Sequence, residues 1–159
     1  MAERKKRVRT KVGDVFGVPL RDGCFGYGVV LKATEMAFYD CTSPEILPWD
    51  EVVSRPILFR VWVSNEALTD GTWPVIGKMP LPTSLAAPQA YFVCGPFQVQ
   101  PFLTYDGSEC IWTTPDKCEG LEKARAWSSY TLGARLHDSL NGRRDQWVEK
   151  VEAETLGLG

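Results

Sequence analysis

Residues 11–31 write a β-hairpin into the chain. Val15 to Leu20 is a short apolar run, Asp22-Gly23 is a turn dipeptide that tolerates positive φ, and Phe25 to Leu31 is a second run rich in aromatic and β-branched residues. Pro19 cannot donate a ladder hydrogen bond. The first strand is therefore expected at a sheet edge, or with Pro19 where its missing N–H would face solvent. Gly26 and Gly28 fall two apart, so one face of the second strand is nearly bare. A core aromatic, a crossing strand or a ligand would fill that space. The Gly-x-Gly is not a phosphate-binding turn, because no helix opens after it and no Gly-Lys-Ser/Thr follows.

The rest of the chain continues in short strands. Thr34 to Tyr39 predicts a third strand, and the two prolines of Thr42 to Pro48 predict a loop. Trp49 to Ser54 has room for one helical turn before Pro56. In the run Ile57 to Val63, alternation puts Ile57, Phe59, Val61 and Val63 on a core face and Leu58, Arg60 and Trp62 on the other. Trp62 with Arg60 is either an exposed anchor pair or lies under the C-terminal helix. Trp73 is expected as a core plug before a strand at Val75 to Met79. Further strands are expected at Pro88 to Val93, Phe97 to Tyr105 and, after Asp106-Gly107, Glu109 to Thr113.

The period then changes. Leu132, Leu136 and Leu140 recur every four residues, Ser128 or Ser129 supplies an N-cap, and Asn141-Gly142 supplies a left-handed stop. This predicts an amphipathic helix over residues 129–141 with its leucine face on the sheet. A second helical segment is expected from Asp145 to Leu156. The fold class is α+β, mostly β: a curved antiparallel sheet or barrel-like core of about seven to eight short strands carrying a C-terminal amphipathic helix. The expected organisation is a disordered basic arm at 1–10, one domain at 11–142 and a helical tail at 143–159.

The chemistry of catalysis is sparse. The single histidine, His137, sits in the predicted helix beside Asp138, more consistent with a helix-surface residue than with a base. No nucleophile elbow, Walker loop, zinc-protease motif or EF-hand occurs. The five cysteines are odd in number and none are spaced as zinc ligands, so free thiols are expected; a Cys110–Cys118 bridge would suit only an exported protein. No cofactor or metal is expected. With no apolar run of membrane-spanning length and a charged N-terminus, the expected location is the cytoplasm.

Charge is unevenly spread. Residues 1–11 hold six Lys or Arg and one acid, whereas residues 12–159 hold 19 acids and 12 bases, a formal charge of −7. The arm could contact nucleic acid by counterion release, but the acidic body argues against it. Asp50 and Glu51, and after the Trp62 strand Glu66 and Asp70, are placed in loops, where binding residues concentrate. Together with Trp62 these are the candidate partner-binding residues.

The hairpin also carries a resemblance. Gly13-Asp14-x-Phe16-x-x-Pro19-Leu20, the Asp22-Gly23 turn and Tyr27-Gly28-x-Val30-Leu31 resemble the N-terminal signature of the immunity protein 26 family of bacterial polymorphic-toxin systems. The likeness continues at Phe38-Tyr39-Asp40, Pro56 to Phe59, Gly71 to Lys78 and Gly120-Leu121-Glu122, and so covers roughly residues 11–142. The basic arm and the tail after Gly142 have no counterpart in the pattern. The resemblance implies a small, mostly β protein encoded beside a toxin, often a nuclease, which it neutralises by binding. A monomer with a basic, nuclease-type toxin domain as partner, no enzymatic activity and no membrane is the expectation. The alternative is a nucleic-acid-associated module that uses the basic arm.

Overall fold

The computed structural model describes residues 9–32, 34–93, 102–105, 110–118, 120–145 and 148. The chain opens with β1 (Asp14–Pro19), β2 (Phe25–Val30) and β3 (Glu35–Tyr39). The single turn α1 (Trp49–Val52) leads to β4 (Ile57–Val63), and α2 (Glu66–Thr69) leads to β5 (Val75–Lys78). After α3 (Thr83–Ala86) come β6 (Tyr91–Val93), β7 (Phe102–Thr104) and β8 (Ile111–Trp112). The last elements are α4 (Pro115–Cys118), β9 (Ala126–Trp127) and α5 (Ser129–Leu140). Six strands form one sheet in the order β5-β1-β2-β3-β4-β9, and β6-β7-β8 form a second. Among the described residues the larger sheet has β5 and β9 at its edges, so the α+β, mostly β class holds, with an open sheet and no closed barrel.

The hairpin forms as its residues dictate. Arg21-Asp22-Gly23 is a three-residue loop in which Leu20 N–H donates to Cys24 C=O at 2.8 Å and Gly23 sits at φ +84°. The Asp22 carboxylate accepts from Cys24 N–H at 2.9 Å and fixes the turn. β1 is not an edge strand, since β5 pairs along its other side. Pro19 is tolerated because β5 pairing ends at Phe16, so its nitrogen lies past the ladder that would have needed a donor.

Strand alternation splits the core into two layers. Phe16, Val18, Val30, Met36, Phe38, Val61 and Val63 face one side and meet Ala67, Leu68, Trp73, Leu132 and Leu136. Val15, Tyr27, Val29, Ala37 and Tyr39 face the other, under Leu47, Trp49, Val52, Ile76 and Leu85. The bare glycine face is filled by protein. A Cβ on Gly26 would lie 2.6 Å from Leu136 Cδ2, and one on Gly28 would lie 2.6 Å from Phe16 Cζ. The missing side chain at Gly26 is what lets α5 seat on the sheet, and the one at Gly28 makes room for the Phe16 ring. Trp73 is the expected plug: it stacks on Phe16 at 5.5 Å and meets Phe38 edge-on at 6.2 Å.

Two local readings are corrected. The β3–β4 register shifts between Phe38 and Tyr39, so Ile57 leaves the core face and is exposed while Leu58 packs with Phe59 against the core. Strand β9 was not foreseen: it adds to β4 in parallel through Trp62↔Ala126 and Val63↔Trp127. Helix α5 matches its prediction, with the Ser128 hydroxyl accepting from Thr131 N–H and Gly142 at φ +68° beyond its end. Its buried face is not purely leucine. Arg135 lies 4.0 Å over the Phe59 ring and 4.9 Å from Trp127, and its fork engages both oxygens of Glu122.

The second helical segment falls outside the described residues except at Asp145 and Val148, as does the basic arm except for residues 9 and 10. The first part of the Phe97 to Tyr105 strand does so too. Cys24, Cys41, Cys110 and Cys118 are free thiols.

Candidate partner-binding surface

The two acidic pairs are brought apart, not together. Asp50 and Glu51 stand on the helical turn expected after Pro48, and Glu66 and Asp70 bracket a second turn where a loop was expected. Asp50 and Glu51 are exposed on α1, whose Val52 is buried in the layer with Tyr27 and Tyr39. That turn is anchored by the Trp49 ring lying directly on Gly77 of β5, a contact that no larger residue at Gly77 would allow. Glu66 and Asp70 are exposed at either end of α2, whose Ala67 and Leu68 are buried in the opposite layer. The six-stranded sheet therefore separates them, and they act as two patches.

Trp62 is neither a free anchor nor covered by α5. Its face of β4 is taken by the smaller sheet, with the Tyr91 ring centroid 4.8 Å away and Trp62 half-buried. Beside it the Tyr91 hydroxyl donates to Glu35 at 2.6 Å, and Arg60 pairs with the other Glu35 oxygen at 2.9 Å. All three are buried. Burial first, and then the hydrogen bond to the Glu35 carboxylate, push the Tyr91 phenol far above its ordinary pKa. This network ties the two sheets together, and Arg60 is thereby spent on structure rather than on a partner.

A third surface was not read from the sequence. Between the hairpin turn, the loop before β5 and the outer side of α5 runs an open groove of about 340 Å³. Pro19, Leu20 and Arg21 form one wall and Thr72 and Trp73 the second. The third is made by Ser129, Tyr130, Gly133 and Ala134 of α5. Tyr130 stands at its lip with 84% of its surface exposed. The three stretches are far apart in sequence, so only the folded chain shows the groove.

Charge surrounds this groove. Asp70 accepts from Thr72 N–H at 2.8 Å on one wall. On the far side Arg21 donates to His137 Nδ1 and to Asp138, each at 3.2 Å, and His137 Nε2 lies 3.3 Å from Asp22. The Cys24 N–H, and secondarily His137, hold the exposed Asp22 carboxyl below its ordinary pKa. His137 is thus part of a hairpin-to-helix clasp, which accounts for it without catalysis. Among the described residues no group of three or more His, Cys, Asp or Glu side chains is placed to hold a metal ion, and no helix is long and apolar enough to cross a membrane.

Such an arrangement of grooves, turns and fixed charges suits recognition of another macromolecule by shape and potential. Comparison with known proteins gives the biological setting. No curated protein and no solved structure matches the chain. Residues 11–94, more than half of it, match the family model described as Immunity protein 26. The match takes in β1 to β6, and it ends before the Gly120 segment to which the resemblance was traced. The chain belongs to the immunity protein 26 family.

Proposed function

We propose that this protein protects its host cell by binding a cognate toxin domain of basic, nuclease type and masking it by protein–protein contact. The observation that carries this reading is the family membership over residues 11–94. The net charge of −7 over residues 12–159 supports a cationic partner, because a domain that holds phosphate must present Lys and Arg. The protein acts as a monomer in the cytoplasm, where the toxin would strike, and performs no chemistry of its own. Glu66 and Asp70 supply carboxylates to the partner's cations, while Asp50 and Glu51, on the other side of the sheet, add to the long-range negative field that steers it. Trp62, held against Tyr91, contributes only its uncovered edge.

The test is co-expression with the toxin domain encoded by the neighbouring reading frame, followed by surface plasmon resonance at two salt concentrations. Growth should be rescued, and the association rate should fall as salt rises while dissociation changes less. Absence of both rescue and binding would remove the immunity reading. Rescue with a salt-independent association rate would retain immunity and remove the basic partner.

A further inference from the structure

Resting on that reading, we infer that the toxin docks in the groove between the hairpin turn, the Thr72-Trp73 loop and α5, inserting an apolar side chain flanked by Lys or Arg. Three observations converge. The first is the groove itself, which is open to solvent and floored by apolar groups of Leu20, Trp73 and Ala134. The second is Tyr130 at its lip: a large aromatic ring 84% exposed on a well-formed helix does nothing for the fold, and aromatic residues of this kind are the usual anchors of interfaces.

The third is Gly133. Glycine inside a helix weakens it relative to alanine, since the backbone loses more freedom on folding. Gly26 and Gly28 have an internal reason to be glycine, whereas a Cβ at Gly133 would meet nothing within 4 Å. Nothing described in the protein requires the space above Gly133. It leaves room for a partner's backbone to come close to the helix.

Charge complementarity fixes the chemistry of the occupant. Arg21 is the one charged residue of the walls and pairs with Asp138; with Asp22 beside it in the hairpin turn and Asp70 bonded to Thr72 of the second wall, three acids next to the groove outnumber that one cation. A cationic surface therefore gains on approach, whereas an acidic one is repelled. By contrast, Asp50 and Glu51 stand exposed on α1, on the opposite side of the sheet from this groove.

The experiment uses the full chain and the purified toxin domain. Gly133→Trp fills the groove from within the helix, Tyr130→Ala removes the anchor, and Ile111→Ala alters an exposed apolar residue on the other sheet as a control. Thermal melting and surface plasmon resonance are read for each. Gly133→Trp and Tyr130→Ala should each weaken binding at least about tenfold with unchanged melting, and Ile111→Ala should leave both unchanged. Asp70→Lys should slow association at low salt and not at high salt.

Wild-type binding that survives both groove substitutions would overturn the inference while leaving the immunity function standing. No binding by the wild type would overturn both. A fall in melting temperature on Tyr130→Ala, with toxin affinity preserved, would show that the groove is occupied by another part of this chain, and would also overturn it. Should Gly133→Trp fail to fold, Tyr130→Ala alone decides.

Discussion

The two faces of the six-stranded sheet bury similar apolar layers and close them in opposite ways. One is covered by α5, which seats Leu136 and Leu140 over Gly26 and closes its ends with Ser128 and Gly142. The other is covered by the single turns α1 and α3, by Ile76 of β5 and by the loops around them, and in those loops polar groups are turned inward. The Tyr27 hydroxyl bonds Ser43 at 2.6 Å and accepts from Leu47 N–H at 2.9 Å, and Ser43 donates to Glu45 C=O. Loops covering a core must satisfy their own backbone, so their polar residues are consumed by the fold. A helix satisfies its backbone internally and leaves its outer residues free. That difference is why Tyr130 and Gly133 are open to a functional explanation.

Replacing Leu136 by Asp strikes the helix-covered face at its tightest point. An unpaired carboxylate would be forced against Gly26 in a fully buried site. A loss of about 3–5 kcal/mol is expected in denaturant unfolding, enough to detach α5 or unfold the protein. Wild-type stability would mean that the helix face is not closed and the comparison fails.

A smaller effect is expected at the junction of the two sheets. Tyr91→Phe removes a buried hydrogen bond to Glu35 and should cost about 1–3 kcal/mol at neutral pH. Its pH dependence sharpens the test. Tyr91 has a raised pKa when folded, and burial likewise pushes Tyr39 up to about 12. Above the unfolded value of 10 the unfolded chain releases these protons while the folded chain keeps them, so stability falls as pH rises. The variant should lose less stability than the wild type above pH 10, narrowing the gap between them in urea titrations at pH 8 and pH 11. Parallel losses would show that Tyr91 does not titrate abnormally.

The smallest effect has the opposite sign. Gly133→Ala should stabilise the protein by about 0.5–1 kcal/mol, because the helix gains a better residue and nothing crowds the new methyl. A loss of stability instead would mean that the space above Gly133 is filled in the free protein.

What could be read in the sequence follows the range of the interactions. The hairpin, the glycine face, Trp73 and α5 rest on turn chemistry, alternation and a four-residue leucine repeat, all local, and they were legible. Strand β9 is two residues long and owes its place to the β4 ladder, so it carries no period of its own. The Glu35–Arg60–Tyr91 network joins residues 25 and more apart in sequence, and Trp62 could not be assigned a neighbour without it. The acidic turns were visible as charge, but nothing local shows that a sheet divides Asp50 and Glu51 from Glu66 and Asp70. The groove joins three distant stretches, and no local pattern shows it.

The most direct test of the contrast between the two faces is amide hydrogen exchange of the full chain with and without the purified toxin domain. Binding should slow exchange over residues 19–22, 70–73 and 129–134 and leave residues 48–54 unchanged. Slowed exchange confined to residues 48–54 would put the partner on the loop-covered face and contradict the account.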